Sequence, residues 1–332
     1  MVRPFAFWPL AFAVWLTSVL GAEDLAAPLA GAQAALREGD YARSYAAFRR
    51  IAEAADNPLA AFNVGLFYQF GWGRAVDAAE ACRWFERAAA GEIPVAQHNL
   101  GDCLVAGTHR SADPATAAVW YDRAARNGHL LSLCSLAELY TSGTGVQPNP
   151  DAGIALCRQA AEQGLTPAMI RLGRLLVEID PAEAHSWFAR AAERGAPEAQ
   201  YQLGILNRHG IGRPADVDTA RYWFESAAAQ GYAPAYWPTA QLYLQAPADP
   251  ATGRLPARAL AKAYLWLSAT AAHSAYPAEQ ARAAARLEEL ESIMPGTWKP
   301  ALDAKVARHL ETHAAEKAVN PSARRPVWTS KR

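Results

Sequence analysis

Net charge is the first thing this chain lacks. Its 32 lysines and arginines are matched by 32 aspartates and glutamates. No global field therefore draws it to nucleic acid or to an anionic membrane, and a nucleic-acid partner is not expected. Long apolar runs are missing after residue 20, so no later stretch is long enough to span a bilayer. The eight histidines fall into no metal-binding spacing. His309 and His313 have the i, i+4 separation of a zinc pair, but Glu311 is not in the second position that a metalloprotease motif requires. That segment reads as a solvated helix face. Ser-x-x-Lys, Gly-x-Ser-x-Gly, a phosphate-cradling glycine loop and a dinucleotide fingerprint are all missing. No enzyme, metal or cofactor is expected.

What is present is small residues and aromatics in phase. Hydrophobic residues make up 52% of the chain, much of it alanine, which permits close helix packing. The residue opening the second half of each unit is Phe48, Trp84, Trp120, Leu156, Trp187, Trp223 and Trp266. Successive separations are 36, 36, 36, 31, 36 and 43 residues. Seventeen residues after each of the first six stands a tiny residue: Gly65, Gly101, Ala137, Gly173, Gly204 and Ala240. Periods of this length are the signature of a solenoid or array.

The units share a logic. A helix begins near a proline (Pro58, Pro94, Pro167, Pro197, Pro234), where the missing amide costs nothing. It carries the tiny residue at its centre, which lets a neighbouring helix approach closely. It ends in glycine turns such as Gly71-Trp72-Gly73, Gly143-Thr144-Gly145 and Gly210-Ile211-Gly212. A second helix carries the aromatic pair and an Ala-Ala step, as in Trp84-Phe85 with Ala88-Ala89. In the unit before Trp187, Val177–Pro181 replaces the glycine turn. Before Trp266, a Pro/Gly-rich insertion over Ala246–Pro256 predicts an exposed loop. Trp84, Trp120, Trp187 and Trp223 are expected in the core.

The fold class expected is all-α: an α/α superhelical solenoid of about six helix-pair repeats with a helical C-terminal cap. The expected organisation is a secretory signal over 1–22, repeats over 30–275, capping helices over 276–313 and a disordered basic tail over 314–332. The signal rests on Arg3, the apolar run Phe5–Leu20 and the small residues before Glu23. A retained anchor is the other reading of that run. The processed protein is expected to be a periplasmic or secreted monomer, since capping helices cover both stack ends.

The pattern Ala-x-x-x-Leu-Gly-x-Leu-Tyr-x-x-Gly-x-Gly, then Ala-x-x-Trp-Tyr/Phe-x-x-Ala-Ala-x-x-Gly, resembles the Sel-one-like repeat (SLR) family, relatives of tetratricopeptide arrays. The likeness covers about Ala30 to Ala272. It implies a helical solenoid serving as an adaptor in protein assemblies, often in the bacterial envelope.

Four cysteines permit disulfides in an exported protein. Cys134 and Cys157 lie on the two antiparallel helices of one pair, whereas Cys82 with Cys103 would link adjacent units. Buried free thiols are the remaining reading. Cysteine-rich members of the family bridge the two helices of one repeat, but their cysteines sit about one position and one turn away from these.

Two positions per first helix fall outside its predicted core slots and share a face because they are four residues apart. The first reads Phe62, His98, Cys134, Ile170, Tyr201 and Trp237. The second reads Leu66, Asp102, Glu138, Arg174, Ile205 and Gln241. This face is the candidate groove for a protein or peptide partner, apolar at its ends and charged in its middle. The competing reading is that its aromatics complete the core. An envelope polysaccharide or cell-wall assembly factor is the alternative function, with Trp72, Trp237 and Tyr243 as exposed rings that could stack on glycan. A β-lactamase-like hydrolase, described for some cysteine-rich relatives, is discounted because the nucleophile motif is missing.

Overall fold

The computed structural model describes residues 27–319, so the expected signal peptide and the residues from 320 onward lie outside it. The chain is an all-α solenoid of helix pairs with no strand among the described residues. The described residues up to Asn149 form one compact unit and those from Pro150 a second. The first holds α1 (Ala30–Arg37), α2 (Tyr41–Ala54), α3 (Pro58–Phe70), α4 (Ala78–Ala90), α5 (Pro94–Ala106), α6 (Pro114–Arg126) and α7 (Ser132–Ser142). The second holds α8 (Pro150–Glu162), α9 (Thr166–Leu176), α10 (Pro181–Glu193), α11 (Pro197–His209), α12 (Val217–Ala229), α13 (Tyr236–Leu244), α14 (Ala257–His273), α15 (Pro277–Ile293) and α16 (Lys299–Val319). Consecutive helices pack on one another within each unit as far as α15, and α16 packs back on α14.

The small residue at the centre of each first helix works against the second aromatic of the following helix. A Cβ added at Gly65 would lie 2.5 Å from Phe85, at Gly101 2.5 Å from Tyr121, at Gly173 2.8 Å from Phe188 and at Gly204 2.5 Å from Phe224. Contacts that short are not tolerated, so the backbone of one helix rests on the ring of its partner. In α13 and α14, Ala240 and Leu267 hold the equivalent places, and both are fully buried.

The tryptophan ladder was expected in the core, and here the structure corrects the sequence. Trp84 and Trp187 are buried, but Trp120 and Trp223 are half-exposed. The deepest place belongs to the neighbour: Phe85, Tyr121, Phe188 and Phe224 are all buried. The indoles lie at the margin, where their N–H can find an acceptor. Trp84 Nε1 donates to Glu80 Oε1 at 3.0 Å and Trp187 Nε1 to Glu183 Oε1 at 2.9 Å. Arg87 and Arg190 cover the outer faces of these two rings at 4.6 and 4.3 Å.

Helix ends recur as faithfully. Gly71, Gly107, Gly143 and Gly210 close their helices in the left-handed conformation, which favours glycine. Gly212 has φ +77°, and an added Cβ would stand 2.3 Å from the Pro181 carbonyl oxygen. The second helix of a pair then starts on an aspartate. Asp77, Asp113, Asp180 and Asp216 each accept a hydrogen bond from the amide three residues on, satisfying a donor that the helix leaves orphaned.

Two further expectations are corrected at the C-terminus. Helix α16 runs past 313 to Val319, because Ala314 to Val319 contains no helix breaker before Pro321. Its histidines do not form a solvated face. His309 is half-buried, with Nε2 3.1 Å from the Tyr236 hydroxyl and its ring edge-on to Trp266 at 5.4 Å. His313 Nε2 lies 3.1 Å from the Ala229 carbonyl. The i, i+4 pair thus docks α16 onto α12, α13 and α14.

Candidate functional site

In the first unit the predicted face carries Phe62 and Leu66 on α3, His98 and Asp102 on α5, and Glu138 on α7. Phe62 and Leu66 are half-buried, and Phe62 tilts onto Phe85 with ring centroids 5.7 Å apart. Both side chains cover Cys82 and Cys103. His98 is buried, a correction to its expected place on the groove, since three residues before the central glycine the side chain still turns toward the next pair. Its Nδ1 lies 3.0 Å from Ser132 Oγ and its Nε2 3.6 Å from Asp102 Oδ2. The Tyr121 hydroxyl donates to Asp102 Oδ1 at 2.7 Å. His129 approaches the same serine at 2.8 Å, and the two imidazoles are 4.5 Å apart.

Serine, histidine and aspartate thus converge, but Ser132 is fully buried and its hydroxyl is shared between two imidazoles. The cluster joins α5 to α7; it does not present a nucleophile. Sequence reasoning missed His129 and Ser132. The available signal was His98 itself, a polar residue in a slot filled elsewhere by Phe, Ile, Tyr and Trp, which implies a polar partner from a following helix.

A second polar device was also missed. Gln97 Nε2 donates to the Ala89 carbonyl at 3.5 Å while its Oε1 accepts from Asn127 at 3.0 Å. Gln200 repeats it, donating to Ala192 at 3.3 Å and accepting from Gln230 at 2.7 Å. Each glutamine ties its own pair to the end of the preceding one.

In the second unit the predicted residues are Ile170 and Arg174 on α9, Tyr201 and Ile205 on α11, and Trp237 and Gln241 on α13. Ile170 is buried and, like His98, sits behind the surface. Arg174 is exposed, and its Nη1 donates to Glu198 Oε1 at 3.2 Å. Tyr201 stands between Phe224 at 5.7 Å and Tyr232 at 5.6 Å. Ile205 packs against Phe224 and Leu242. Burial, then the Glu198 carboxylate, pushes the Tyr232 phenol up to about 12. Burial, followed by Glu279, also raises Tyr201. Both phenols remain neutral hydrogen-bond donors at physiological pH.

Trp237 and Gln241 line a groove of about 760 Å³ between α13 and α15, together with Leu244, Leu255, Arg282, Glu289 and Ile293. Leu255 comes from the loop over 246–256, which is folded back by an Asp249 amide bond to the Arg254 carbonyl at 2.8 Å. Arg208 Nη1 donates to Gln241 Oε1 at 3.2 Å, fixing the amide at the groove edge. Of the three rings expected to stack on glycan, Tyr243 is buried and its hydroxyl donates to Glu225, so it is unavailable. Trp72 is occupied by Phe70, stacked at 5.3 Å.

The cysteines are oxidised. Cys82 on α4 and Cys103 on α5 form a disulfide with Cα atoms 5.9 Å apart, linking adjacent pairs. Cys134 and Cys157 are likewise disulfide-bonded, and no described cysteine is free, which removes the buried-thiol reading. No metal cluster was expected from sequence, yet the ligand atoms of Cys82, Cys103 and His109 lie within 4.8 Å of one another. No described helix is long and apolar enough to cross a membrane.

Comparison with known proteins gives consistent neighbours. A family model described as Sel1 repeat matches residues 58–92, 94–129, 131–165, 166–195 and 197–232. A protective antigen of uropathogenic Escherichia coli displaying an SLR fold aligns over 92% of this chain and 67% of that one, with 22% identity and a TM-score of 0.61. A Sel1 repeat protein from Oxalobacter formigenes aligns over 74% of this chain and 99% of that one, with 26% identity and a TM-score of 0.55. Among curated sequences, an uncharacterized protein of Neisseria meningitidis is 43% identical over 68 residues, 20% of this chain and 15% of that protein. The chitin synthase regulator SKT5 of Saccharomyces cerevisiae is 39% identical over 77 residues, 21% of this chain and 11% of that protein. The matched segment is thus a small part of those curated relatives.

Proposed function

The chain belongs to the Sel1 repeat family, and from that premise we propose that it is an exported, non-enzymatic scaffold whose first-helix face holds an extended segment of a protein partner. The observation that carries this reading is the groove beside α13. It offers one aromatic anchor (Trp237), amide groups that can meet a peptide backbone (Gln241, Gln245), an apolar floor from Leu244 and Leu255, and charges of both signs at the rim from Arg282 and Glu289. That mixture suits an extended peptide, which presents apolar side chains and backbone polar groups together. Exposed Arg174 and half-buried Tyr201 continue the same helix face within the second unit, and the first unit carries exposed Asp102 and Glu138 on first helices of its own. The disulfides favour an oxidising compartment, hence export to the bacterial envelope. A relative named as a regulator of a synthase also suits an accessory role, although the match spans only 11% of it.

The test is site-specific crosslinking in the native envelope from positions 237 and 174, followed by recovery with variants. A single protein should crosslink at both positions. Recovery should fall at least about tenfold with Trp237→Ala, and similarly with Arg174→Ala plus Tyr201→Ala, since buried aromatic anchors dominate such interfaces. Equal recovery with all variants refutes the groove. Retention of the purified protein on cell-wall glycan, lost with Trp237→Ala, would replace the peptide by a polysaccharide.

A further inference from the structure

The turn after α5 holds an imidazole that the solenoid does not explain. The His109 side chain is only 4% exposed, yet neither ring nitrogen makes a hydrogen bond. A buried imidazole that makes no hydrogen bond calls for a physical reason. The surroundings supply one. His109 lies beside the sulfurs of Cys82 and Cys103, and its Nε2 is 3.4 Å from Glu86 Oε2. Cys82 and Glu86 are four residues apart on α4 and so share a face. Cys103 and His109 are brought together by the left-handed turn at Gly107, secured by the Thr108 amide bond to the Cys103 carbonyl at 3.1 Å.

From this cluster we propose a thiol-gated metal site: Cys82, Cys103, His109 and Glu86 bind a borderline-soft divalent cation, Zn²⁺ first, once the Cys82–Cys103 disulfide is reduced. Two thiolates, one imidazole and one carboxylate make a four-donor set of the kind that zinc takes in tetrahedral sites. With Zn–S bonds of about 2.3 Å, the two sulfurs would stand roughly 3.8 Å apart. The Cα separation of 5.9 Å accommodates that distance by side-chain rotation. The electrostatics also fit. Two thiolates and a carboxylate around a dication leave one surplus negative charge, and Arg110, whose Nη1 donates to Glu86 Oε1 at 2.9 Å, offsets it.

The gate is ordinary thiol–disulfide chemistry. A dithiol reductant transfers two electrons and two protons to the Cys82–Cys103 bond and becomes a disulfide itself. Zn²⁺ then replaces the two thiol protons, which go to solvent. Oxidation by a disulfide-bearing partner runs the other way: two protons are taken up, the S–S bond re-forms, the partner leaves as a dithiol and Zn²⁺ is released. The proposal is independent of the peptide-binding reading, because its residues are not those of the groove beside α13.

The experiment uses the full chain, reduced and stripped of metal, and titrated with Co²⁺ as a spectroscopic stand-in for Zn²⁺. One equivalent should bind the reduced protein, giving thiolate-to-cobalt charge-transfer absorption and the visible bands of tetrahedral Co²⁺. Zn²⁺ should displace it, and the oxidised protein should show neither signal. Cys134→Ser with Cys157→Ser should leave the spectrum intact, while Cys82→Ser with Cys103→Ser should abolish it. His109→Ala should weaken binding at least about tenfold yet still form the Cys82–Cys103 disulfide. The proposal is overturned by a reduced protein without the tetrahedral spectrum, by binding that survives loss of Cys82 and Cys103, or by His109→Ala binding as tightly as the wild type. Helical circular dichroism that collapses on reduction and does not return with Zn²⁺ overturns it as well.

Discussion

At the scale of single residues, the decisive contact is a glycine against a ring. Gly204 rests 2.5 Å, measured from an added Cβ, from Phe224. Helix propensity alone would favour alanine there by about 1 kcal/mol, so the sign of Gly204→Ala separates propensity from packing. Packing should win, with a net loss of about 1–3 kcal/mol from overfilling a core that has no slack. Gly31→Ala is the control: nothing lies within 4 Å of its added Cβ, and it should be neutral or slightly stabilising. Phe224→Leu should partly rescue Gly204→Ala, giving a non-additive urea-denaturation cycle. Additive costs would mean that the two residues do not determine each other's size.

At the scale of helices, two titrations bear on stability in acid. Hydrogen bonds from Thr219 hold the Asp216 carboxyl below its ordinary 3.8, and those from Thr116 do the same for Asp113. A depressed folded-state value means the stabilisation is present above pH 3.8 and disappears as pH falls through the lower folded-state value. Asp113→Ala with Asp216→Ala should therefore lower the melting temperature at pH 7, and the gap from wild type should narrow as pH falls below 3.8. His309 acts in a higher window. Burial foremost, then neighbouring His313 and His273, holds its imidazole below the ordinary 6.5. Docking of α16 should be complete above pH 6.5 and should weaken as pH falls through the depressed value. Amide exchange over α16, corrected for intrinsic rate, should report protection falling as pH drops below 6.5. Protection that stays unchanged as pH falls from 7.5 to well below 6.5 would remove His309 from the docking.

How much was legible divides along the same line. The helix pairs, their prolines, the glycine turns and the interrupted turn before Trp187 followed from spacing, because each repeats often enough to stand out. Which aromatic of Trp-Phe goes deepest did not follow, because both are apolar and neighbouring, and the indole N–H decides in favour of the margin only once Glu80 or Glu183 is in place. The aspartate caps were written in the sequence at Asp77, Asp113, Asp180 and Asp216 and were not read, since aspartate is common in loops. His98 with Ser132 and Cys82 with His109 depend on contacts between pairs, which no single repeat encodes.

At the scale of the molecule, each compact unit contains its own stacked pairs, so covalent ties within a unit matter locally. The Cys82–Cys103 link closes a segment with a sequence separation of 21. The chain-entropy account gives such a loop about 3 kcal/mol. Cys82→Ser with Cys103→Ser should cost about that much in urea denaturation, whereas Arg174→Ala, at an exposed side chain, should leave stability within about 1 kcal/mol. A cost near zero for the cysteine pair would indicate that the reduced chain retains the same approach of α4 to α5.

The reciprocity of Gly65 with Phe85, Gly101 with Tyr121, Gly173 with Phe188 and Gly204 with Phe224 is confined to successive helices. Volume matching is therefore settled inside each pair before any neighbour is met. A gene that duplicates or drops one whole pair carries bump and hollow together and leaves no mismatched seam at that contact. A breakpoint falling between the two helices would separate them. Lengths of such arrays are thus free to drift in steps of one pair, and natural variants should begin and end beside the junctions ahead of Pro58, Pro94 and Pro197.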